Sequence, residues 1–334
     1  MCIIIIKDNK KQIKTETLIA SSVKNPDGLG VLWLDKWNVT YHDSTDYMIL
    51  KTNRPYIAHF RYATIGEVSK ANCHPFDINK DNILFQNGTV YGLGNKKKTD
   101  TQHLAEILSD VPPNRWREVL EMNDSRFVTA NLKTKKYTLY NKSDWTKVND
   151  IWYSKTNVLD KVLIGVYGTL KRYGSNYDYH LADSIYVGKA NTVEKYPMLI
   201  QGIPYVLDKP GVGHHIDIEL FLVDRKTCLP SIDRLEGHPT WYERRQAEVI
   251  LEDMCTVLTP YIYFNDTVKD EGEHHKTFTQ EVYGFYDNPL LGGSEYYECQ
   301  CANPEPVLDY NDHYCDICYG NIIDDEHIIN QFNF

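Results

Sequence analysis

The sequence predicts an α+β chain, and three observations predict it. Short apolar runs alternate with turn residues along most of the length. Convincing helical periodicity is confined to a few places. The composition shifts near the C-terminal end towards cysteine, proline and acidic residues. At 334 residues, 42% hydrophobic and 25% charged, the chain is long for one domain and can bury substantial cores. We expect a division into residues 1–158, 162–288 and 295–334.

In the first of these, strands are expected at 2–6, 31–34, 47–50, 56–62, 83–86, 127–131, 136–140 and 150–154. Turn residues such as Asn25-Pro26-Asp27-Gly28 separate them. One helix stands out. The run from Thr101 to Leu108 places Leu104, Ile107 and Leu108 on one face, with Thr99 or Asp100 as its N-cap. The second unit opens on the buried-strand pattern Val162-Leu163-Ile164-Gly165-Val166-Tyr167. Further strands are expected near 184–190, 197–200, 217–223, 244–251 and 260–264, with a short helix around 230–236. The polar run from Asn265 to Lys276 reads as a solvated loop. After Gly292-Gly293 a small third element begins.

Forty-six acidic against 36 basic residues give a net charge of −10, which argues against non-specific binding of nucleic acid or an anionic membrane. The apolar opening Ile3-Ile4-Ile5-Ile6 reaches Lys7 and Asp8 at once, too soon for a signal segment or a membrane span. Four of the eight cysteines fall in the last thirty-six residues, which suits reduced thiols and a local metal site better than a secreted disulfide framework. A cytoplasmic protein is the expectation.

Cys2 is the first candidate for chemistry. Methionine ahead of a small residue is commonly trimmed, which would leave Cys2 with a free α-amine. Such an amine has a pKa near 8 and can serve as base for its own thiol. Taken singly, the residues downstream have plainer readings. Asn87-Gly88 is a hairpin dipeptide, Asp100 a helix N-cap, Arg61 a strand-surface residue, and His74-Pro75 a loop former. Taken together and in order, Ala58-His59-Phe60-Arg61-Tyr62-Ala63-Thr64, Asn72-Cys73-His74-Pro75-Phe76, Phe85-Gln86-Asn87-Gly88 and Thr99-Asp100-Thr101 resemble the class II glutamine amidotransferases. These are N-terminal-nucleophile (Ntn) hydrolases with a four-layer αββα sandwich.

The resemblance implies that Cys2 attacks the carboxamide of glutamine. It implies that Asn87 and the Gly88 amide hold the tetrahedral oxyanion. It assigns glutamine binding to Arg61 for the α-carboxylate and Asp100 for the α-amine, with Thr64 and His74 alongside. The segment is shorter than the usual glutaminase module, and Ile65 stands where a histidine is common.

The second candidate is Glu236. By itself it reads as a helix-end carboxylate followed by a glycine cap. Yet Tyr167-Gly168-Thr169-Leu170-Lys171, Asn176 and Leu181, followed by Ile232-Asp233-Arg234-Leu235-Glu236-Gly237 and Tyr242-Glu243-Arg244, resemble the γ-glutamylcyclotransferase family, whose fold is a small mixed β-barrel. The family cyclises a γ-glutamyl amide to 5-oxoproline and releases the amine. The resemblance gives the proton transfers to Glu236 and makes Tyr167, Gly168, Thr169 and Leu170 a turn whose amides hold the glutamyl group. Tyr242 and Arg244 read as packing and strand-surface residues.

The tail carries Cys299-Gln300-Cys301 and Cys315-Asp316-Ile317-Cys318, with thirteen residues between the pairs. Two close thiol pairs across such a loop fit a closed, structural Zn²⁺ site, with His313 as a spare ligand; unpaired surface thiols are the plainer reading. No metal or cofactor is expected for catalysis. The whole chain reads as a bifunctional enzyme of γ-glutamyl amide chemistry acting on small molecules, glutamine and γ-glutamyl amines. No ATP-binding or synthetase unit is recognisable, so ammonia or an amine would pass to a partner enzyme or a small molecule. An alternative of another class is a regulatory protein that senses such compounds with one or both sites inactive.

Overall fold

In the computed structural model, residues 2–64, 67–252, 256–279, 297–298 and 306–307 are described. The first lobe runs β1 (Ile3–Lys7), α1 (Thr15–Lys24), β2 (Leu29–Trp33), β3 (Asn38–His42), β4 (Tyr56–Phe60), β5 (Phe76–Asn79) and β6 (Asn82–Asn87). It continues through α2 (Asp100–Ser109), α3 (Trp116–Leu120), β7 (Arg126–Asn131), β8 (Lys136–Tyr140), β9 (Thr146–Val148) and β10 (Ile151–Tyr153).

The strands form a six-stranded sheet, ordered β3-β2-β4-β1-β10-β9, and a four-stranded sheet, β5-β6-β7-β8. The isoleucine run of β1 explains their stacking, because alternate residues of a strand point to opposite faces. Ile4 and Ile6 meet Ile83, Phe85 and Val128 of the second sheet. Ile3 and Ile5 share a core with Leu18 and Ile19 of α1. On the far side of the second sheet, Leu84 and Phe127 pack against Leu104 and Leu108 of α2. The layers are therefore helix, sheet, sheet, helix, and β1 is buried on both faces, hence its unbroken apolar sequence.

The second lobe contains β11 (Lys161–Val166), α4 (Tyr177–His180), β12 (Ile185–Thr192), β13 (Met198–Gln201), β14 (Ile203–Val206) and β15 (Asp217–Asp224). After α5 (Leu229–Leu235) come β16 (Glu243–Gln246), β17 (Val249–Leu251), β18 (Val257–Leu258) and β19 (Tyr261–Phe264). Seven strands join in the order β16-β19-β11-β15-β12-β17-β18, while β13 and β14 make a separate hairpin. The sheet is mixed, since β11 lies parallel to β19 and antiparallel to β15. Among the described residues its pairing runs open, with β16 and β18 as edges, where a closed barrel was expected. One face of β11 and β15, through Ile164, Val166 and Phe221, packs on Leu229 and Ile232 of α5. The other, through Leu163 and Leu220, joins the core that contains α1, so the lobes share a hydrophobic interior.

Two local expectations need correction, and one helix was missed. Residues 47–50 are not a strand but the end of a 3₁₀ helix, Ser44–Leu50, started by a capping box between Asp43 and Asp46. The expected strand 244–251 is two strands, β16 and β17, in different parts of the sheet. Helix α1 carried little signal because its N-cap, Lys14, makes no side-chain cap and its buried face includes Thr17, Ser21 and Ser22. Among the described residues no helix is long and apolar enough to cross a membrane.

Residues 281–334 form a separate unit, of which β20 (Tyr297–Glu298) and β21 (Pro306–Val307) are described as an antiparallel pair. The proposed zinc ligands Cys299, Cys301, Cys315 and Cys318, and His313, lie outside the described residues.

Candidate active sites

Cys2 sits at the head of β1, beside the chain leaving β4, because Ile3 pairs with Phe60. The Cys2 Sγ receives the Tyr62 N–H at 3.3 Å. Burial pushes its thiol pKa up, while the Tyr62 amide, the amino terminus and Arg61 pull the other way. Arg61 is buried next to it, its backbone pinned by an N–H bond to the Gly28 carbonyl at 2.8 Å and by the Asp27 N–H at 3.1 Å. The Asp27 side chain in turn accepts the Ala63 N–H at 2.6 Å. Thr64 is exposed on the chain that follows.

Asn87 ends β6, fully buried, with its Nδ2 2.7 Å from the Ser154 Oγ. Gly88 follows with φ 143°, and a Cβ there would lie 2.2 Å from the Ser125 hydroxyl, so both conformation and space call for glycine. Asp100 opens α2 behind a capping box between Thr99 and Gln102. Its carboxylate is already engaged: Oδ2 accepts Gln86 Nε2 at 2.9 Å and the Val90 N–H at 2.8 Å, and Oδ1 accepts the Thr101 N–H at 2.9 Å. A ligand amine would have to share these oxygens.

His74 lies in the interior beside the site. Its ring is buried, lies tilted against His59 with centroids 4.0 Å apart, and bonds the Thr101 hydroxyl at 2.9 Å, which leaves Nδ1 buried without a partner. Burial holds both imidazoles neutral: His59 is lowered to about 3, and His74 well below its ordinary value, with His59 and Arg61 adding to burial. Nothing in the sequence distinguished His59, on a central strand, from a surface histidine.

The second site is a cavity of about 330 Å³ between the ends of β11, β14 and α5. Tyr167, Gly168, Thr169 and Leu170 line it as a turn after β11. The turn is fastened by the Lys171 N–H on Gly168 O at 3.0 Å, and by Asn176, which bonds Thr169 O at 3.1 Å and Thr169 Oγ1 at 2.9 Å. A Cβ on Gly168 would come within 2.9 Å of Pro204, so a side chain would close the cavity wall.

Glu236 enters the cavity from the C-cap of α5, where its N–H bonds Ile232 O at 2.9 Å. Gly237 beside it adopts φ 60°, the left-handed helix end that favours glycine. The surrounding tyrosines are turned to fixed acceptors. Tyr167 donates to Tyr263 O at 2.7 Å, Tyr242 to Pro204 O at 3.1 Å, and Tyr263 to Asp233 at 2.7 Å, with Arg244 pairing Asp233 at 3.0 Å. Among the described residues Glu236 is the one carboxylate in the lining, and burial pushes its pKa up to about 7.

The two lobes thus gather most of the residues singled out in the sequence. Cys2 lies with Arg61, and the Tyr167–Leu170 turn lies with Glu236. Sequence reasoning missed Ser154, His59, Pro204, Trp241 and Tyr263, and it read Tyr242 as packing where the structure makes it cavity lining. The alternation of Tyr261 and Tyr263 on one strand was the available hint for Tyr263.

Comparison with known proteins bears on the second lobe. Residues 164–283 match the family described as gamma-glutamyl cyclotransferase, AIG2-like. The gamma-glutamylaminecyclotransferase of Homo sapiens is 30% identical over 148 residues, 38% of this chain and 96% of that protein. That of Bos taurus is 34% identical over 116 residues, 33% of this chain and 68% of its own length. A mouse AIG2-like crystal structure aligns over 36% of this chain and 90% of its own, at 29% identity and a TM-score of 0.34.

Proposed function

Because the chain belongs, through residues 164–283, to the gamma-glutamyl cyclotransferase, AIG2-like family, we propose that its second lobe cyclises γ-glutamyl amines, releasing 5-oxoproline and the free amine. The observation that carries this reading is Glu236, a lone carboxyl among the described residues of the cavity, with a pKa near 7. As carboxylate it takes a proton from the substrate's α-ammonium. The amine nitrogen then attacks the γ-carbonyl, a C–N bond forms, and the carbonyl pair moves to oxygen. Collapse of that adduct breaks the bond to the leaving amine, which takes the first proton back from Glu236; the ring nitrogen's remaining extra proton passes the same way, so the amine departs as its ammonium and the lactam is neutral. Water is not consumed and the carboxylate is regenerated. A base with a pKa near the working pH suits both transfers. The Tyr167–Leu170 turn supplies backbone amides to the glutamyl group.

The same proposal gives the first lobe a glutamine amide chemistry of the class II amidotransferase kind. What supports it is the helix–sheet–sheet–helix layering, with Cys2 at the end of a central strand and Arg61 beside it. The Cys2 thiolate forms a C–S bond to the carbonyl carbon of the γ-carboxamide, ammonia leaves with the thiol's proton, and water then hydrolyses the thioester to glutamate. Met1 removal supplies the α-amine as base. Both sites then act on the γ-carboxamide of a glutamyl group, in the cytoplasm, with ammonia or amine passing to a partner enzyme or small acceptor. One structural Zn²⁺ on Cys299, Cys301, Cys315 and Cys318 completes the proposal and is checked by elemental analysis.

The test is mass spectrometry of the protein incubated with glutamine and with a panel of γ-glutamyl amines. Formation of 5-oxoproline that disappears in Glu236→Gln supports the cyclotransferase. Tight binding without turnover at both sites overturns the enzymatic reading in favour of a sensor.

A further inference from the structure

Ser154 follows β10 and is buried, with its N–H bonded to Ile4 O at 3.0 Å. Its hydroxyl oxygen lies 2.7 Å from the Ile4 N–H and 2.7 Å from the Asn87 amide. With Nδ2 of Asn87 facing it, that oxygen receives two donors, and the hydroxyl's own hydrogen meets no acceptor among the described residues. The other end of the Asn87 side chain, as Oδ1, is then buried without a partner. Two groups, the Ser154 hydroxyl hydrogen and Asn87 Oδ1, are left without a partner in that orientation.

The two ends of a carboxamide have the same shape, so the hydrogen-bond network decides between them. With the oxygen facing Ser154, the hydroxyl accepts from Ile4 N–H and donates to Asn87 Oδ1. The unpartnered buried position then holds Nδ2, a donor that wants an acceptor. In a site that develops an oxyanion, the reaction itself supplies that acceptor.

We propose that Ser154 is a positioning residue for amide cleavage at Cys2: its hydroxyl fixes the Asn87 carboxamide with Nδ2 aimed at the oxyanion. This rests on the reading of the first lobe as a glutamine amide-cleaving site. The relay also ties the donor to β1, because Ile4 lies two residues from Cys2 on the same strand. Donor and nucleophile are thereby held by one rigid element. Ser154 touches neither glutamine nor the thiol.

The test uses the full chain, with cyclotransferase turnover at Glu236 as an internal measure of intact folding. Ser154→Ala is expected to lower kcat for glutamine hydrolysis by about ten- to a hundredfold, somewhat less than removing an oxyanion donor outright. KM should stay within about threefold, since ground-state glutamine binding does not use the oxyanion donor. Ser154→Thr, which keeps the hydroxyl, should recover most of the rate. A γ-aldehyde analogue of glutamine, whose adduct with the thiol carries the tetrahedral oxygen, should lose affinity by a similar factor. Asn87→Ala combined with Ser154→Ala should be no slower than Asn87→Ala alone. An unchanged kcat in Ser154→Ala, or a loss confined to KM, overturns the role of Ser154 while leaving the glutaminase reading intact. A wild-type protein that neither hydrolyses glutamine nor takes an electrophilic glutamine analogue on Cys2 overturns both. If Ser154→Ala also loses its cyclotransferase activity, Ser154→Thr decides instead: failure to turn over glutamine at a normal rate in a folded protein rejects the relay.

Discussion

Around Cys2 the polar side chains are bound to one another, Asp100 to Gln86 and two backbone amides, Asn87 to Ser154, and His74 to Thr101. In the second lobe the Glu236 carboxylate faces its cavity with no hydrogen-bond partner among the described residues, while the tyrosines near it are tied off elsewhere. The difference fits what each proposed chemistry asks. Stabilising a transient oxyanion needs donors that do not reorganise, and interlocked buried groups provide that. Moving a proton at neutral pH needs a carboxyl whose pKa has been raised, and burial without compensating hydrogen bonds provides that. One site ties its polar side chains to one another and leaves single buried atoms, such as the far end of the Asn87 carboxamide, unpartnered. The other keeps one group unsatisfied.

The largest effects separate the two sites. Cys2→Ala should abolish glutamine hydrolysis and leave 5-oxoproline formation unchanged, as followed by product mass spectrometry. Loss of both activities would show that the lobes work as one centre. Glu236→Gln should lower 5-oxoproline formation by at least about a hundredfold, the usual scale of acid–base catalysis, with glutamine hydrolysis retained. In the wild type the cyclisation rate should rise as pH increases through about 7, as the carboxylate form appears. A rate independent of pH between 5 and 9, or a variant within a few-fold of wild type, would assign the base to another group.

How much of this contrast was legible in the sequence depended on whether the signal was local. The Tyr167–Leu170 turn and Glu236 were readable because each sits in a short run with its own backbone requirement: a fastened turn, and a helix end followed by glycine. Helix α2 was readable for the same reason, through Thr99 and Gln102. What escaped was set by distant partners. Ser154 matters through Ile4 and Asn87, 150 and 67 residues away along the chain. Tyr263 joins the cavity through Tyr167, 96 residues away, and His59 is buried only because a second sheet covers its strand. Helix α1 hid because tertiary burial, not capping or a clean apolar face, holds it.

The buried histidines give the first lobe a weakness in acid. His59, lowered to about 3, and His74, lowered well below its usual value, stay neutral in the fold, whereas both take up protons in the unfolded chain below about pH 6.5. Their stabilisation is complete above pH 6.5 and is lost as pH falls towards 3. Urea midpoints measured on the Glu236→Gln background, where the opposing carboxyl is absent, should fall steadily over that window. His59→Gln retains an N–H donor and cannot be protonated, so it should flatten the decline. A midpoint constant from pH 7 to 4 would mean that the pair is not buried neutral.

Glu236 should act with the opposite sign and a smaller size. Its folded pKa of about 7 lies above the ordinary carboxyl value of about 4.5, so between those limits the folded state holds the extra proton. Stability due to this residue is therefore greatest below about pH 4.5 and falls as pH rises through 7, by at most about 3 kcal/mol. Glu236→Gln removes that slope. Its urea midpoint should match the wild type near pH 4.5, rise above it with increasing pH, and hold a constant advantage beyond about pH 8. The catalytic carboxyl would then be a measured stability cost that the cavity imposes, with activity and stability changing in opposite directions on one substitution. If the variant is no more stable than the wild type at pH 8, the carboxylate is better solvated than its position between Tyr167, Trp241 and Tyr242 implies, and a raised pKa cannot be the basis of its proton transfers.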